Sequence, residues 1–279
     1  SASPESYSVI VTSKSVVVTA HQPVGLLYGA QTLRQLVMQQ DGNPVIPGCR
    51  IQDEPAFAWR GFMHDVGRNF QDIGLLKRFV DVMARYKMNV FHFHLTDHPA
   101  WRVECRVHPE LNSPTNTPAT RNPGKFYTYA ELNDFIAYCR ERGVRVVPEL
   151  DMPGHSAYFK RAFGVDMQDE RGMKILAECI NEFLDNVKDV DTIHIGSDEV
   201  AIKNKDFLPG MAELIRVRGK QIIVWRPGGL PPGKVITQAW SAGGKPNAPL
   251  KGMAFLDSRD DYVNHLDPFD LPHRELNLS

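Results

Sequence analysis

The sequence predicts an α/β protein of the (β/α)8 TIM-barrel type, lacking its last strand and preceded by part of a small α+β domain. Three observations carry that expectation. From Arg60 onward, short apolar runs alternate with helical segments almost to the end of the chain, and repeated βα units imply a parallel sheet. No glycine-rich GxGxxG follows the first of these runs, which argues against a dinucleotide-binding open sheet. Nearly every run also ends in an acid or a tryptophan, namely Asp97, Asp151, Asp198, Trp225, Trp240 and Asp257. In a barrel these C-terminal strand ends converge on one face, where active sites are built.

Taken in order, YSVIVTSKSVVVTA (7–20) contains two branched, apolar runs around a polar centre and reads as a hairpin. Pro23 then opens a helix with Leu26, Leu27, Ala30, Leu33 and Val37 at helical spacing, closed before the DGNP turn (41–44). Residues 1–52 form the partial α+β unit, which has too few strands to bury both faces alone and is expected to pack on the barrel, 53–279. Seven barrel strands are expected at 60–66, 89–95, 144–151, 192–198, 220–225, 235–240 and 252–257. Helices are expected at 72–87, 128–143 and 170–187. The closing SRDDYVNHLDPFDLPHRELNLS (258–279) offers no eighth strand, so the barrel is expected to be incomplete and open at an edge, with either the rest of the protein lying outside this sequence or a second copy or another chain covering the gap.

Composition narrows the function. With 279 residues, 42% hydrophobic and a formal net charge of −1, there is no charge excess to attract nucleic acid or a membrane surface. The longest apolar runs fall far short of the roughly 20 residues of a spanning helix. The first residues, SASPESYS, show no basic-plus-apolar leader. Four cysteines (Cys49, Cys105, Cys139, Cys179) lack CxxC or zinc-finger spacing and read as plain buried thiols.

The chemistry is expected where IHIGSDEV (193–200) ends an apolar run in two adjacent acids. Alternation along a strand directs His194, Gly196 and Asp198 to the lumen, and leaves Glu199 at the rim where the strand breaks. Two carboxylates in unlike surroundings have their proton affinities pushed apart, which lets one act as an acid at neutral pH. An Asp-Glu pair alone is most often a solvated helix start or a salt-bridge partner. This pair has company: HLTDHPAW (94–101) delivers Asp97, and PELDMPGHS (148–156) delivers Asp151 and His155.

The ordered set WRGFMHDVGRNF, KMNVFHFHLTD with WRVE, VRVVPELDMPGHS and IHIGSDEV resembles the catalytic barrel of the family 20 glycoside hydrolases, the β-N-acetylhexosaminidases, from about Phe57 to Asp257. The residues before it resemble the end of the small domain that precedes that barrel. The resemblance implies exo-acting hydrolysis of terminal N-acetyl-β-D-hexosamine on a glycan, by a substrate-assisted retaining mechanism through an oxazolinium intermediate. It implies no metal or organic cofactor, and a secreted, periplasmic or lysosome-like setting.

By the same resemblance Glu199 is the general acid and base, and Asp198 orients the acetamido group. His155 and Asp97 sit behind the acid. Arg60 would hold sugar hydroxyls, and Trp225 and Trp240 would wall the acetamido pocket. Asp257 is carried over as a substrate contact. The family's Tyr-x-Asp reads Phe255-Leu256-Asp257 here, so Tyr262 is the candidate to replace the missing hydroxyl. Two other readings stay open: a sugar-binding module without turnover, given the missing barrel end, and a metal-dependent barrel hydrolase built on His92 and His94 with His155, His194 and Asp198.

Overall fold

The computed structural model describes residues 3–226, 230, 235–240 and 254–258. Two β-structures follow one another. In the first, β1 (Tyr7–Val11) lies between β2 (Val16–Ala20) and β5 (Cys49–Asp53), antiparallel to both, with α1 (Pro23–Leu36) packed on the sheet. The last rung pairs Tyr7 with Asp53, one residue beyond the expected boundary at 52. The α1 helix stops earlier than its apolar spacing suggested. β3 (Met38–Gln40) instead pairs with β4 (Asn43–Val45) across a turn in which Asp41 and Gly42 both take positive φ, the hairpin geometry that an Asp-Gly pair favours.

The second structure is one sheet of seven strands, β6 (Gly61–Asp65), β7 (Val90–His94), β10 (Arg145–Glu149), β11 (Thr192–His194), β12 (Gln221–Trp225), β13 (Ile236–Ala239) and β14 (Phe255–Asp257). Each is parallel to the next and pairs with its neighbour in sequence. A doubly wound sheet would reverse its order about a switch point, so this unbroken order belongs to a TIM-type α/β architecture. Among the described residues β6 and β14 are its two edges. β8 (Thr96–Asp97) and β9 (Ala100–Trp101) form a short hairpin beyond β7.

Helices cover the outer face: α2 (Ile73–Arg85), α3 (Tyr129–Glu141), α5 (Glu170–Asn186) and α6 (Phe207–Arg216), while the short α4 (Ala157–Phe163) packs against β9. Asp72 caps α2 by accepting from the Leu75 amide, and Thr128 with Glu131 forms a capping box on α3. Helices α4 and α6 are not among the expected ones; Pro209 and Gly210 in the first turn of α6 mask its helical character. Outward-facing Phe91, Phe93, Val146, Ile193, Ile195, Ile222 and Val224 meet the helices in one continuous core. Each such side chain contributes about 1.5–3 kcal/mol by leaving water. Cys105 and Cys179, distant in sequence, meet in that core with their sulfurs 3.7 Å apart as free thiols.

The inner face is built differently. Val90, Val147 and Ile223 form a small apolar floor with Trp59, Ile236 and Leu256. Above it the same strands turn polar: His92 and His94 on β7, Glu149 on β10, His194 on β11 and Trp225 on β12, all buried. Apolar residues at the N-terminal ends of the strands and ionisable ones at the C-terminal ends point the chemistry to one rim.

Arg60 lies at the opposite end, and this corrects its expected role. It precedes β6, where its guanidinium donates to both carboxylate oxygens of Glu5 (2.9 and 3.0 Å) and to the Tyr28 hydroxyl, and its Nε donates to the Lys87 carbonyl. Strand polarity is the reason: a residue before a barrel strand faces away from the active-site rim. Arg60 clamps the small domain to the sheet. Arg60→Met is expected to lower the unfolding free energy by about 1–3 kcal/mol, the range for losing hydrogen bonds to a charged group, while leaving substrate KM unchanged. Urea unfolding and a KM measurement check both halves, and a raised KM would return Arg60 to the site.

Candidate active site

Three strand ends supply the rim. Asp97 follows β7 on the β8–β9 hairpin, His155 follows β10, and Asp198 and Glu199 follow β11. The β11 strand is shorter than the alternation of 192–198 implied, because Gly196 and Ser197 leave extended geometry with φ of 67° and 86°. A Cβ on Gly196 would run into the Asp151 carboxyl, so only glycine lets Asp151 pass over this turn. The outcome still matches the expected split: Asp198 is buried, while the Glu199 side chain is 47% exposed.

Glu199, His155 and Asp97 stand in line. His155 Nε2 lies 2.8 Å from Glu199 Oε2, and its Nδ1 lies 3.4 Å from Asp97 Oδ2. Asp97 is fully buried, and its other oxygen accepts from the His98 amide at 2.6 Å. Burial alone would raise its proton affinity, yet hydrogen bonds from His155 and His94 and the charge of Arg68 hold it well below the usual carboxylate range. In return, the Asp97 hydrogen bond pushes His155 up to about 9, against the opposing effect of burial. Burial first, and then the charge of Glu149, push Asp198 up to about 6. Asp151 is raised well above the usual range by the same two causes. Asp198 Oδ1 and Asp151 Oδ1 are buried without a hydrogen-bond partner among the described residues.

A raised histidine value has a definite sign in linkage. The His155–Asp97 pair stabilises the fold fully below pH 6.5 and its contribution disappears as pH rises through about 9. Thermal melts from about pH 6 to about pH 10 are expected to show the parent losing stability over this interval and His155→Gln losing less. Parallel curves would remove the pair from the fold's energetics.

Below the rim, Glu149 is completely buried and surrounded by donors. Trp225 Nε1 donates to its Oε1 at 2.7 Å, and His92 Nε2 and His94 Nδ1 face its Oε2 at 2.8 and 2.6 Å. His194 Nδ1 lies 3.1 Å from Oε1 and also accepts from the Gly196 amide. The His92, Glu149 and His194 atoms come within 4.8 Å of one another, as do those of Asp151, His155 and Asp198. In the first group a nitrogen of His92 and one of His194 face Glu149, while His194 Nε2 is buried without a hydrogen-bond partner among the described residues.

The remaining expected residues divide. Trp225 is buried at the inner face with its indole tied to Glu149. Trp240 follows the C-terminal end of β13, half-buried, two residues beyond inward-facing Gln238. Asp257 is placed differently from the expectation. Register sets Leu256 beside Gln238 on the inner face and Asp257 beside Ala239 on the outer one. Phe255, beside Thr237, also faces outward, so its lack of a hydroxyl does not bear on the bowl here. Tyr262 lies outside the described residues.

Arg68 was missed. It follows the C-terminal end of β6, where its guanidinium reaches Asp65, lies 3.0 Å from Asp97 Oδ2 and 3.4 Å from His155 Nδ1, and leaves its side chain 46% exposed at the rim. Its signal was available: in RGFMHDVGRNF the second arginine follows the strand and the first precedes it. Glu149 was overlooked because a strand acid among valines and prolines looks like an interruption until its three histidines arrive from other strands.

Residues 57–169 match the family model described as glycosyl hydrolase family 20, catalytic domain, and residues 1–54 match domain 2 of the same family. A β-N-acetylhexosaminidase of Cellulomonas fimi is 33% identical over 282 residues, covering 91% of this chain and 56% of that protein. A β-hexosaminidase of Akkermansia muciniphila is 40% identical over 169 residues, covering 57% of this chain and 34% of its own length. Among solved structures, the Streptomyces plicatus N-acetyl-β-hexosaminidase in complex with Thio-NAglucal aligns with a TM-score of 0.78 at 28% identity, over 88% of this chain and 56% of that one. The chain spans about half, or less, of the length of the curated relatives it matches.

Proposed function

The chain belongs to glycosyl hydrolase family 20, and from that premise we propose that it hydrolyses terminal, non-reducing N-acetyl-β-D-hexosamine residues of glycans with retention of configuration. The observation that carries the reading is the line Glu199–His155–Asp97 beside a buried Asp198. An exposed carboxyl backed by a histidine suits proton transfer to a leaving group. A buried acceptor next to it suits a group that must be oriented and charge-balanced.

In the proposed reaction, Glu199 protonates the glycosidic oxygen while the substrate's own acetamido oxygen attacks the anomeric carbon. The C1–O bond breaks, the aglycone leaves as an alcohol, and a bicyclic oxazolinium forms. Asp198 accepts from the acetamido N–H and balances the positive charge that develops there. Glu199, now a carboxylate, takes a proton from water as that water attacks C1, and the oxazolinium opens to the β-configured sugar. His155 and Asp97 fix the acid, and Trp225 with Trp240 encloses the acetamido methyl. Arg68, in place of Arg60, is the cation at the rim for sugar hydroxyls, through its guanidinium fork.

An eighth strand from the rest of the protein, or a second copy, would close the sheet between β14 and β6. A secreted, periplasmic or lysosome-like setting fits a glycan substrate, and among the described residues no helix is long and apolar enough to cross a membrane. The test is nitrophenol release from a nitrophenyl N-acetyl-β-glucosaminide, with and without a chelator, beside the matching glucoside that lacks the acetamido group. Release that needs the acetamido group and ignores the chelator is expected. Equal release from both substrates would defeat the substrate-assisted mechanism, and glycan binding without release would reduce the chain to a binding module.

A further inference from the structure

His94 is the link between two clusters that the proposed reaction treats separately. Its Nε2 lies 3.0 Å from Asp97 Oδ2, and its Nδ1 lies 2.6 Å from Glu149 Oε2. Ionised carboxylates only accept hydrogen bonds, and a neutral imidazole has a single N–H to give. One of the two contacts would then set lone pair against lone pair in a site with no water access. Both are satisfied together when the ring carries two protons.

The alternative, a proton on one of the acids, fits the surroundings less well. Asp97 already faces Arg68 at 3.0 Å, His155, and the His98 amide. Glu149 accepts from Trp225 on one oxygen and faces His92 on the other. Groups facing His94 from other elements include Asp65 on β6, whose charge also favours the protonated ring, and His94 is raised well above the ordinary histidine value despite complete burial. His194 makes the contrast. Its Nδ1 accepts from a backbone amide, and burial pushes it down to about 4, so it stays neutral.

We infer that His94 is a permanent imidazolium that joins Glu149 to Asp97 and, through Asp97 and His155, positions Glu199. It is a positioning residue rather than a catalytic one, because its two ring nitrogens face Glu149 and Asp97, with Asp65 and Asp151 close by, and all of these are groups of the protein itself. Its catalytic consequence rests on the hydrolysis proposed above. The line of polar contacts then runs from Glu199 through His155, Asp97, His94 and Glu149 to Trp225, connecting the acid at the rim to the wall of the acetamido pocket.

Two measurements on the same 279-residue chain test this. Ring 15N spectra of histidine-labelled protein, with His94 assigned by its loss in His94→Gln, are expected to show both nitrogens protonated and untitrating from about pH 5 to about pH 9. A single N–H, or a midpoint near the ordinary histidine value, overturns the proposal. In the pH profile of kcat/KM, His94→Gln removes a positive charge from beneath the rim, so the carboxyl groups around it, Asp198 with its already raised value of about 6 among them, hold their protons to higher pH. The acid limb is expected to move upward by about one pH unit, tenfold in proton affinity, with KM within about twofold. A lowered kcat on an unmoved profile makes His94 merely structural. If the parent shows no turnover, the proposed hydrolysis fails, while the ring nitrogens still decide the state of His94.

Discussion

Glu199→Gln is expected to lower kcat by roughly a hundredfold to ten-thousandfold, the usual contribution of a positioned proton donor. Glutamine keeps the shape of the side chain and can still accept from His155 Nε2, which stands 2.8 Å from the carboxyl in the parent. Binding should therefore survive, with KM changed little, because only an interaction made in the transition state is removed. The size of the loss should depend on the leaving group. A nitrophenolate departs with little help from a proton, whereas a sugar alcohol needs one, so the deficit should be larger on a chitooligosaccharide than on the nitrophenyl substrate. A variant that keeps more than about a tenth of the parent's turnover on the oligosaccharide would remove Glu199 from the acid role.

Glu149→Leu is expected to be the most destabilising single change in the lumen. The parent carboxylate faces His92, His94 and Trp225 at 2.6–2.8 Å with no solvent exposure. Leucine conserves much of the volume but leaves those donors, and a charged ring at His94, without a counterpart. Removing one partner of a buried charged pair typically costs about 3–5 kcal/mol, because the other partner remains buried and uncompensated. Urea unfolding at neutral pH should show that loss as a lower midpoint, with Glu149→Gln between the two because it can still accept from Trp225. A Glu149→Leu chain as stable as the parent would mean that the network is not held together by charge, and would also weaken the assignment of His94.

Both variants act on residues whose importance is legible to very different degrees in the sequence. Asp198 and Glu199 end an apolar strand, and a sharp transition from Ile-x-Ile to two acids is visible one residue at a time. Asp97 and His155 likewise lie just past their strands, and local rules suffice to place them at the rim. The same holds for the seven parallel strands and for α2 and α3, whose caps at Asp72 and Thr128 are written in the residues that precede them.

What the sequence alone determined, then, is what depends on near neighbours: strand and helix order, the end of the strands where the candidate site lies, and the pair of acids placed there. Only the tertiary structure decided which residues meet across strands. It moved Arg60 to a clamp with Glu5, a residue 55 positions away, and brought Arg68 to Asp97 instead. It turned Asp257 to the outer face through the register of β13 and β14. It gathered His92, His94, His194 and Trp225 around Glu149 from three other strands. The physical reason is that periodicity encodes which way a side chain leaves its own strand, whereas the partner it finds there depends on sheet register and on the low dielectric of the closed interior, where opposite charges and hydrogen-bond donors must be matched.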